Sequence, residues 1–331
     1  MNSDTSNPLG ISPDKVSGIS ANVGRYQGLI VLLVILAVLP LFFTNSFYYD
    51  VAIRIGINAI MVIGLNLLVG YAGQLSLGHA AFFGIGAYLS GILSGSFGWP
   101  PLLALAAGAA ATGVLAYVIA RPILQLKGYM LAMATLGLGI IIAIVISNET
   151  QWTGGPDGMA IPSLEIFGWA VSGDHAWYAI VFALLMLVTW GALNLIDSPA
   201  GRALRALHGS EVAAEVVGVN TSGFKVRIFI MSAMIASIAG SLSAHYVGFI
   251  TPEIAGFTHS IELVTMVVVG GMASVFGSIV GAALITLLPQ LLVHFDGWET
   301  LVYGVVLTAT MIFMPKGLVP TLAARFRKGG A

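Results

Sequence analysis

The apolar runs of this chain are the feature that most limits what it can fold into. Several of them come close to the roughly 20 residues that an α-helix needs to cross a lipid bilayer. Of the 331 residues, 58% are hydrophobic and only 8% are charged, whereas a soluble domain is about 25% charged. The chain has too little charge to cover a water-facing surface, so we predict an all-α, polytopic membrane protein.

Apolar length also predicts where the membrane spans lie. The predicted spans fall at about 28–44, 51–70, 76–96, 101–120, 128–148, 176–196, 227–249 and 299–315. Between the last two lies a further apolar stretch, 261–292, which Gly270, Gly271 and Gly277 interrupt. This stretch is too long for one span and short for two full spans. We expect a re-entrant hairpin or two short helices there, which brings the count to about ten transmembrane helices.

Basic residues indicate how these spans are oriented, because cytoplasmic loops of membrane proteins carry an excess of Lys and Arg. Alternation of the spans places the following basic residues on one side: Lys15, Arg25, Arg121, Lys127, Arg202, Arg205, Lys225 and Arg227. The opposite loops lie around 45–50, 97–100, 149–175 and 250–260, and they carry acidic residues without Lys or Arg. The sequence therefore predicts that the N-terminus and the C-terminus both lie in the cytoplasm.

One basic residue, Arg54, does not follow this pattern. It lies one turn into the second predicted span and four residues after Asp50. This spacing places both side chains on one helix face. We expect an ion pair at the outer membrane interface, where a long basic side chain reaches toward water; the alternative is a functional charge.

Residues 197–227, called the polar segment below, form the only long charge-dense stretch between two apolar runs. Ser198 before Pro199 predicts a helix start, and Ser210 predicts the cap of a second short helix at 211–217. Gly218 fits the stop position of that helix. On the second helix, one face carries Val212 and Val216, and Glu211 and Glu215 also share a face. We expect contact with a soluble partner; the alternative is an interfacial helix whose arginines bind lipid phosphates.

Segment 66–95 combines frequent glycines with the polar residues Asn66, Gln74, Ser76 and His79. Two interpretations stay open from spacing alone. The backbone is unwound and lines a polar path, which is allowed where protein or water covers it. Alternatively, the segment forms a tight turn whose polar groups satisfy helix ends.

Several kinds of catalytic or cofactor site are absent from the sequence. It lacks the G-x-x-x-x-G-K-[ST] pattern of a phosphate-binding loop, the H-E-x-x-H zinc motif and a G-x-S-x-G nucleophile turn. Its six histidines are scattered, it has no cysteine, and a net charge of −1 gives no sign of nucleic-acid binding. We therefore expect no catalytic, cofactor or metal site, and an enzyme embedded in the membrane is disfavoured.

Three segments of the chain resemble the LivM-like permease subunits of branched-chain amino acid ABC importers. They are NLLVGYAGQLSLGHAAFFGIGAY at 66–88, the KGYMLAMATLGLG and TGGPDGMAIP motifs within 127–162, and the stretch at 198–252 that begins SPAGRALRALHGSEVAAEVVGVNTSGFKVR. They occur in the family's order and at its intervals, and together they cover most of the chain past residue 50.

The resemblance implies a subunit that forms half of a translocation pathway in the bacterial inner membrane. The implied partners are two cytoplasmic ATP-binding subunits, a second, LivH-like permease subunit and a periplasmic substrate-binding protein. ATP hydrolysis is expected in those separate subunits, so this chain is not expected to be an enzyme. The implied substrate is a branched-chain amino acid or a related small polar solute. The alternatives are a permease for urea, amides or aromatic acids, and a self-sufficient secondary carrier.

The resemblance also assigns roles along the chain. It implies a cytoplasmic segment at 1–27, a transmembrane permease domain at 28–315 with a cytoplasmic coupling loop at 197–226, and a basic cytoplasmic tail at 316–331. We expect the segment 1–27 to be retained, because no small-x-small cleavage site follows the first apolar run. The residues expected to couple the chain to the ATPases are Arg202, Arg205, Glu211, Glu215 and Gly218. The candidates for the substrate path are Asn66, Gln74, His79 and Glu262.

Overall fold

The structure is a computed structural model that describes residues 13–43, 45–166, 169–291, 299–314 and 317–321. The chain divides into two compact units, residues 1–44 and 45–331. The first unit contains helix α1 (Pro13–Phe42). Residues 1–12 of the predicted N-terminal segment lie outside the described residues, and so do most of the predicted basic tail and Thr44, Pro315 and Lys316.

The second unit is almost entirely helical. Its long helices within the described residues are α2 (Ser46–Asn66), α3 (His79–Gly95), α4 (Pro101–Ile123), α5 (Tyr129–Asn148), α7 (Asp174–Asp197), α10 (Thr221–Val247), α11 (Phe257–Gly270), α12 (Val275–Leu291) and α13 (Glu299–Phe313). The shorter helices are α6 (Thr150–Thr153), α8 (Pro199–Gly209) and α9 (Glu211–Val216). The predicted all-α class is confirmed.

Five helical stretches in the described part of the chain are long and apolar enough to cross a membrane: Ser46–Tyr71, Pro101–Ile123, Tyr129–Asn148, Asp174–Asp197 and Thr221–Val247. Shorter apolar helices occupy Gln27–Phe42, Phe257–Gly270 and Val275–Gln290. These lengths and compositions identify an integral membrane protein.

The second and third predicted spans differ in detail from the structure. Helix α2 continues as a π-helical turn over Leu67–Tyr71. The chain is then non-helical at 72–78, and α3 begins only at His79. The predicted span 76–96 therefore starts three residues too early. The glycines of this junction explain the error, because Gly73 has a positive φ of 67° that continues no helix.

The interrupted apolar stretch forms two helices, α11 and α12, that pack against each other and turn at 271–274. This confirms the expectation of two short helices. The turn contains Gly271 at φ 123° and Ala273 at φ 58°. Such a conformation is uncommon for a residue with a side chain, so contacts from elsewhere must hold the turn in place.

Glycines allow close packing between helices of this chain. A Cβ atom on Gly240 of α10 would lie 2.0 Å from the Phe83 carbonyl oxygen of α3, and one on Gly86 would lie 2.1 Å from the Ser237 carbonyl oxygen. A Cβ on Gly281 of α12 would lie 2.0 Å from the Met266 oxygen of α11. Helix backbones therefore touch at these points, as small residues permit in lipid.

The described part of the long connection between α5 and α7 contains short strands. Strand β1 (Met159–Ala160) pairs antiparallel with β4 (Phe249–Ile250), and β2 (Glu165–Ile166) pairs with β3 (Trp169–Ala170). Gly154 and Gly158, at φ 77° and 76°, provide tight turns there. The connection is thereby tied to the segment that follows α10.

Candidate functional site

The polar segment folds into two short helices, as predicted. Ser198 Oγ accepts a hydrogen bond from the Gly201 N–H at 3.2 Å and caps α8. Ser210 Oγ accepts one from the Ala213 N–H at 3.3 Å and caps α9. After α9, Gly218 has a φ of 84°, and its N–H donates to the Glu215 carbonyl oxygen at 2.9 Å. Helix α9 ends at Val216, one residue before the predicted end.

Glu211 holds α9 against the membrane helices. Its carboxylate accepts from Lys225 Nζ of α10 at 2.5 Å and lies 3.3 Å from Lys127 Nζ in the turn before α5. The Lys225 side chain is only 10% exposed, whereas that of Lys127 is 68% exposed. Burial alone would raise the pKa of Glu211, but the hydrogen bonds and positive charges of Lys225 and Lys127 outweigh it and lower that pKa.

The other charged residues predicted for partner contact also bind groups of this chain. Glu215 accepts a hydrogen bond from the Thr221 hydroxyl at 2.6 Å. Arg205 donates to the Ile196 carbonyl oxygen at 2.9 Å, and Arg202 donates to that of Asp197 at 3.3 Å. These contacts connect α8 to the end of α7 and α9 to the start of α10.

The outward surface of α9 carries exposed valines. Val212, Val216 and Val217, the last directly after the helix, are 68%, 82% and 75% exposed, and the helix lies in the segment that is otherwise rich in charge. The sequence predicted an apolar and acidic contact surface; the valines and Glu215 are exposed, whereas the Glu211 carboxylate is paired with Lys225 and Lys127. An exposed apolar patch within polar surroundings is typical of a protein interface.

Asn66, a predicted substrate-path residue, is bound to the turn between α11 and α12. Its side-chain nitrogen lies 2.9 Å from the Ser274 carbonyl oxygen and 2.7 Å from Ser278 Oγ. Its side-chain oxygen accepts from the Ala273 N–H at 2.9 Å. Asn66 is buried, and these bonds hold Ala273 in its positive-φ conformation. At Asn66 itself the polar groups satisfy the ends of helices, as in the second interpretation of this segment.

Gln74 and His79 are buried with part of their hydrogen-bonding capacity unused. Neither amide atom of Gln74 has a partner among the described residues, and the same holds for His79 Nδ1. The other ring nitrogen of His79 lies 3.1 Å from Ser232 Oγ of α10. Gln74 lines a cavity of about 100 Å³ that also contacts His208, Glu211 and Lys225. This cavity lies between the polar segment and the residues that follow the π-helical end of α2.

A larger cavity lies at the other end of α2. It has a volume of about 310 Å³ and is lined by α2, α10, α11 and α12. Arg54 and Asp50 form the predicted pair there, with Nε 2.9 Å from the carboxylate, and Asp50 also accepts from the Tyr246 hydroxyl at 2.8 Å. Glu262 lines the same cavity and lies 3.2 Å from His259 Nδ1.

The cavity brings together residues that the sequence analysis considered separately or missed. Glu262 and Arg54 were singled out, but their common cavity was not predicted. Asn58, which donates to Thr286 Oγ1 at 2.9 Å and lines the cavity, was missed. Its position four residues after Arg54 on the same helix face was the available signal. Within the described residues, no group of three or more His, Cys, Asp or Glu side chains is placed to hold a metal ion.

Comparison with known proteins agrees with the resemblance seen in the sequence. The chain is 33% identical to the high-affinity branched-chain amino acid transport system permease protein LivM of Escherichia coli K12, over 95% of this chain and 80% of that protein. It is 26% identical to the LivH permease protein of that system in the same strain, over 79% of this chain and 90% of LivH.

More distant relatives transport other solutes. The ribose import permease protein RbsC of Escherichia coli K12 is 26% identical over 78% of this chain and 83% of RbsC. No solved structure matches the chain. The family model described as "Branched-chain amino acid transport system / permease component" matches residues 47–315. Since this match spans most of the sequence, the chain belongs to the family of permease components of branched-chain amino acid transport systems.

Proposed function

We propose that this chain is a permease subunit of an ABC importer in the bacterial inner membrane and forms half of a pathway for branched-chain amino acids. The family match over 47–315 carries this proposal. The names of LivM and LivH connect both relatives to a high-affinity branched-chain amino acid transport system. The RbsC likeness shows that related chains serve a different substrate, so urea, other amides and aromatic acids are the alternative cargoes.

The proposed topology has ten spans with both termini in the cytoplasm. Ten apolar helices are available in the described residues: α1 to α5, α7 and α10 to α13. Within residues 45–331, several segments that the topology places in the cytoplasm lie near the C-terminal end of α2. Lys127 and His208 contact the cavity at Gln74, and Gly317 lies against Gly271. The positive-inside rule assigns this end to the cytoplasm.

We assign coupling to the polar segment, at about 201–218. In this proposal the exposed valines of α9 dock on a cytoplasmic ATP-binding subunit, and Glu211 passes the movement to α10 through Lys225. The sequence itself has no phosphate-binding loop, so the energy of ATP has to enter from two partner subunits. A second, LivH-like permease would complete the pathway, and a periplasmic binding protein would deliver the substrate.

Uptake by cells tests this proposal. Deleting the gene should remove most high-affinity uptake of radiolabelled leucine, isoleucine and valine, while uptake of urea and benzoate is unchanged. Expressing the chain again should restore uptake. If urea or benzoate uptake is lost instead, the alternative cargo is correct. Liposomes that contain only this chain should neither transport leucine nor hydrolyse ATP; leucine flux in them would indicate a self-sufficient carrier.

Substitution of the valines tests the coupling surface. The double variant Val212→Glu, Val216→Glu should accumulate normally, because both side chains are exposed. It should lose uptake and no longer co-purify with ATP-binding subunits, because charge disrupts an apolar interface. The matched control Val212→Ala, Val216→Ala should keep a large part of the uptake and of the co-purification with ATP-binding subunits. If the glutamate variant retains full uptake and co-purification, the docking surface lies elsewhere.

A further inference from the structure

We propose that the cavity between α2, α10, α11 and α12 binds a free amino acid as a zwitterion. Arg54 would take the α-carboxylate, Glu262 would take the α-ammonium, and an apolar wall would take the aliphatic side chain. This inference rests on the proposed function and deepens it, because it locates a substrate site inside a single permease subunit.

The size and lining of the cavity suit a small amphipathic ligand. Its volume of about 310 Å³ lies at the lower end of the roughly 300–1,000 Å³ that ligand pockets occupy. One side of the lining carries both signs of charge through Arg54 and Glu262, and another carries the apolar residues Ile57, Met266 and Ile285. Such a mixture complements a molecule with two charges at one end and a hydrocarbon group at the other.

The contacts of Arg54 leave it able to bind a carboxylate. Asp50 engages Nε, while a guanidinium carries five N–H donors in a planar fork that can grip a carboxylate with two bonds. The second oxygen of Asp50 accepts from Tyr246, so Asp50 fixes the Arg54 side chain in position. The side chain of Arg54 is 48% exposed, which allows the terminal nitrogens to meet a ligand.

Glu262 is placed to bind an ammonium group. Its Oε2 lies 3.2 Å from His259 Nδ1, which leaves Oε1 as a further acceptor. The side chain is 27% exposed although it lies on the apolar helix α11. A carboxylate on a membrane helix is costly unless it faces a partner or a cavity, and Glu262 faces both.

A second cavity adjoins the first at the segment that follows α10. This second cavity of about 530 Å³ contains Thr251, Glu253 and Thr258 and shares Ile254, His259 and Glu262 with the first. In the proposed topology this segment belongs to the outer side. Glu262 therefore lies where an incoming amino acid would pass from the outer segment into the membrane part of the subunit.

A ligand panel on the purified full-length chain tests the proposal. The measurement is the rise in thermal unfolding temperature with leucine, leucinamide, which lacks the carboxylate, and 4-methylpentanoate, which lacks the ammonium group. Leucine should stabilise the chain, and each of the other two should bind about 10- to 100-fold more weakly, as expected for losing a hydrogen bond to a charged group. If all three stabilise equally, or none does, zwitterion binding is overturned.

Crossed variants then assign each charge. In Arg54→Gln, leucine should bind no better than leucinamide; in Glu262→Gln, leucine should bind no better than 4-methylpentanoate. Arg121→Gln, a change of an exposed arginine outside this cavity, should behave like the unchanged chain. A variant with altered packing alone would weaken all ligands together, and that result would overturn the assignment of the two charges.

The milder changes Arg54→Lys and Glu262→Asp repeat the test if a glutamine variant fails to fold. Uptake by cells distinguishes this inference from the proposed function. Normal leucine uptake and binding by both glutamine variants would reject the cavity but leave the transport function standing. Undiminished leucine uptake in the deletion strain would reject the transport function itself.

Discussion

The two ends of helix α2 use the same kind of side chain in opposite ways. Asn66, at the π-helical end, is buried, and its side-chain nitrogen and oxygen both form hydrogen bonds with the turn between α11 and α12. Asn58, two turns away, makes one bond to Thr286 and lines the 310 Å³ cavity. Charges follow the same division. Glu211 forms ion pairs with two lysines, whereas Glu262 has one histidine beside it and lines the 310 Å³ cavity.

This difference teaches how to separate structural polar groups from functional ones in a membrane protein. A buried polar group whose bonds are all made within the chain holds helices together, because leaving such a group unpaired is costly. A polar group that faces a cavity keeps capacity for a ligand or water. By this criterion Asn66 is a structural residue, whereas Arg54 and Glu262 keep capacity for the ligand proposed above.

The largest effect should come from Asn66→Ala. The variant leaves the Ala273 N–H without its partner and removes the amide hydrogen bonds to Gly271, Ser274 and Ser278; an unsatisfied buried group costs about 1–3 kcal/mol, and the lost bonds add to this. We expect a loss of about 3 kcal/mol in the free energy of unfolding, seen as a lower unfolding temperature and reduced accumulation in the membrane. Asn66→Asp should be no better, since a carboxylate accepts from Ala273 but cannot donate to Ser274.

Asn58→Ala is the matched control for that change, because it removes a single part-buried hydrogen bond worth about 1 kcal/mol. It should leave the unfolding temperature much closer to that of the unchanged chain. A stable Asn66→Ala variant that has lost leucine uptake would contradict the comparison. That outcome would return Asn66 to the substrate path, as the sequence analysis predicted.

A medium effect is expected at the ion pairs of Glu211. Lys225→Met removes the buried partner and leaves Glu211 held only by the exposed Lys127, so α9 should loosen and leucine uptake should fall several-fold. Lys127→Met should cost no more than about 1 kcal/mol, as exposed ion pairs do. The exchange Glu211→Lys with Lys225→Glu should recover part of the uptake lost in either single change.

Unfolding temperatures and uptake rates of these variants decide between two roles for Glu211. If Lys225→Met and Lys127→Met lower uptake and unfolding temperature equally, burial of Lys225 is unimportant. The contacts between α9 and α10, near the Asn66 end of α2, are then less rigid than we expect. If the double variant Glu211→Lys, Lys225→Glu folds but does not recover uptake, Glu211 contacts a partner directly.

Local sequence signals predicted the polar segment well. Ser198, Ser210 and Gly218 act within three or four residues of their own positions, so their caps follow from neighbouring sequence. The Asp50 and Arg54 pair was predicted for the same reason. What the sequence could not supply was the direction of Glu211, because its partner Lys225 is 14 residues away and Lys127 is on another helix connection.

Long-range contacts account for the remaining misses. Asn66 binds residues more than 200 positions later, and its segment left path and turn equally open. The cavity needs α2, α10, α11 and α12 to converge, and no spacing within one helix encodes that meeting. Periodicity shows that Glu262 lies on a helix; only the packed helices show that it shares a cavity with Arg54.

The smallest effect is expected in the mobility of α9 as a function of pH, which tests the ion pairs of Glu211. Because the lysines lower the pKa of Glu211 below its ordinary value of 4.5, the pairs should stabilise the segment fully above that value. This stabilisation should be lost as pH falls through the lowered pKa of the folded state. Since the chain has no cysteine, Val217→Cys gives a single site for a spin label on the exposed side of the segment.

The mobility of that label should stay constant from about pH 7 to pH 5 and rise only below the ordinary carboxylate pKa. With Glu211→Gln added, the label should be mobile at every pH, because the amide cannot form the ion pairs. Glu215→Gln is the control for the neighbouring acid, and His208→Gln is the control for the histidine that shares the cavity at Gln74. A rise in mobility that begins above pH 5, or one that disappears in His208→Gln, would contradict the assignment of this pH dependence to Glu211.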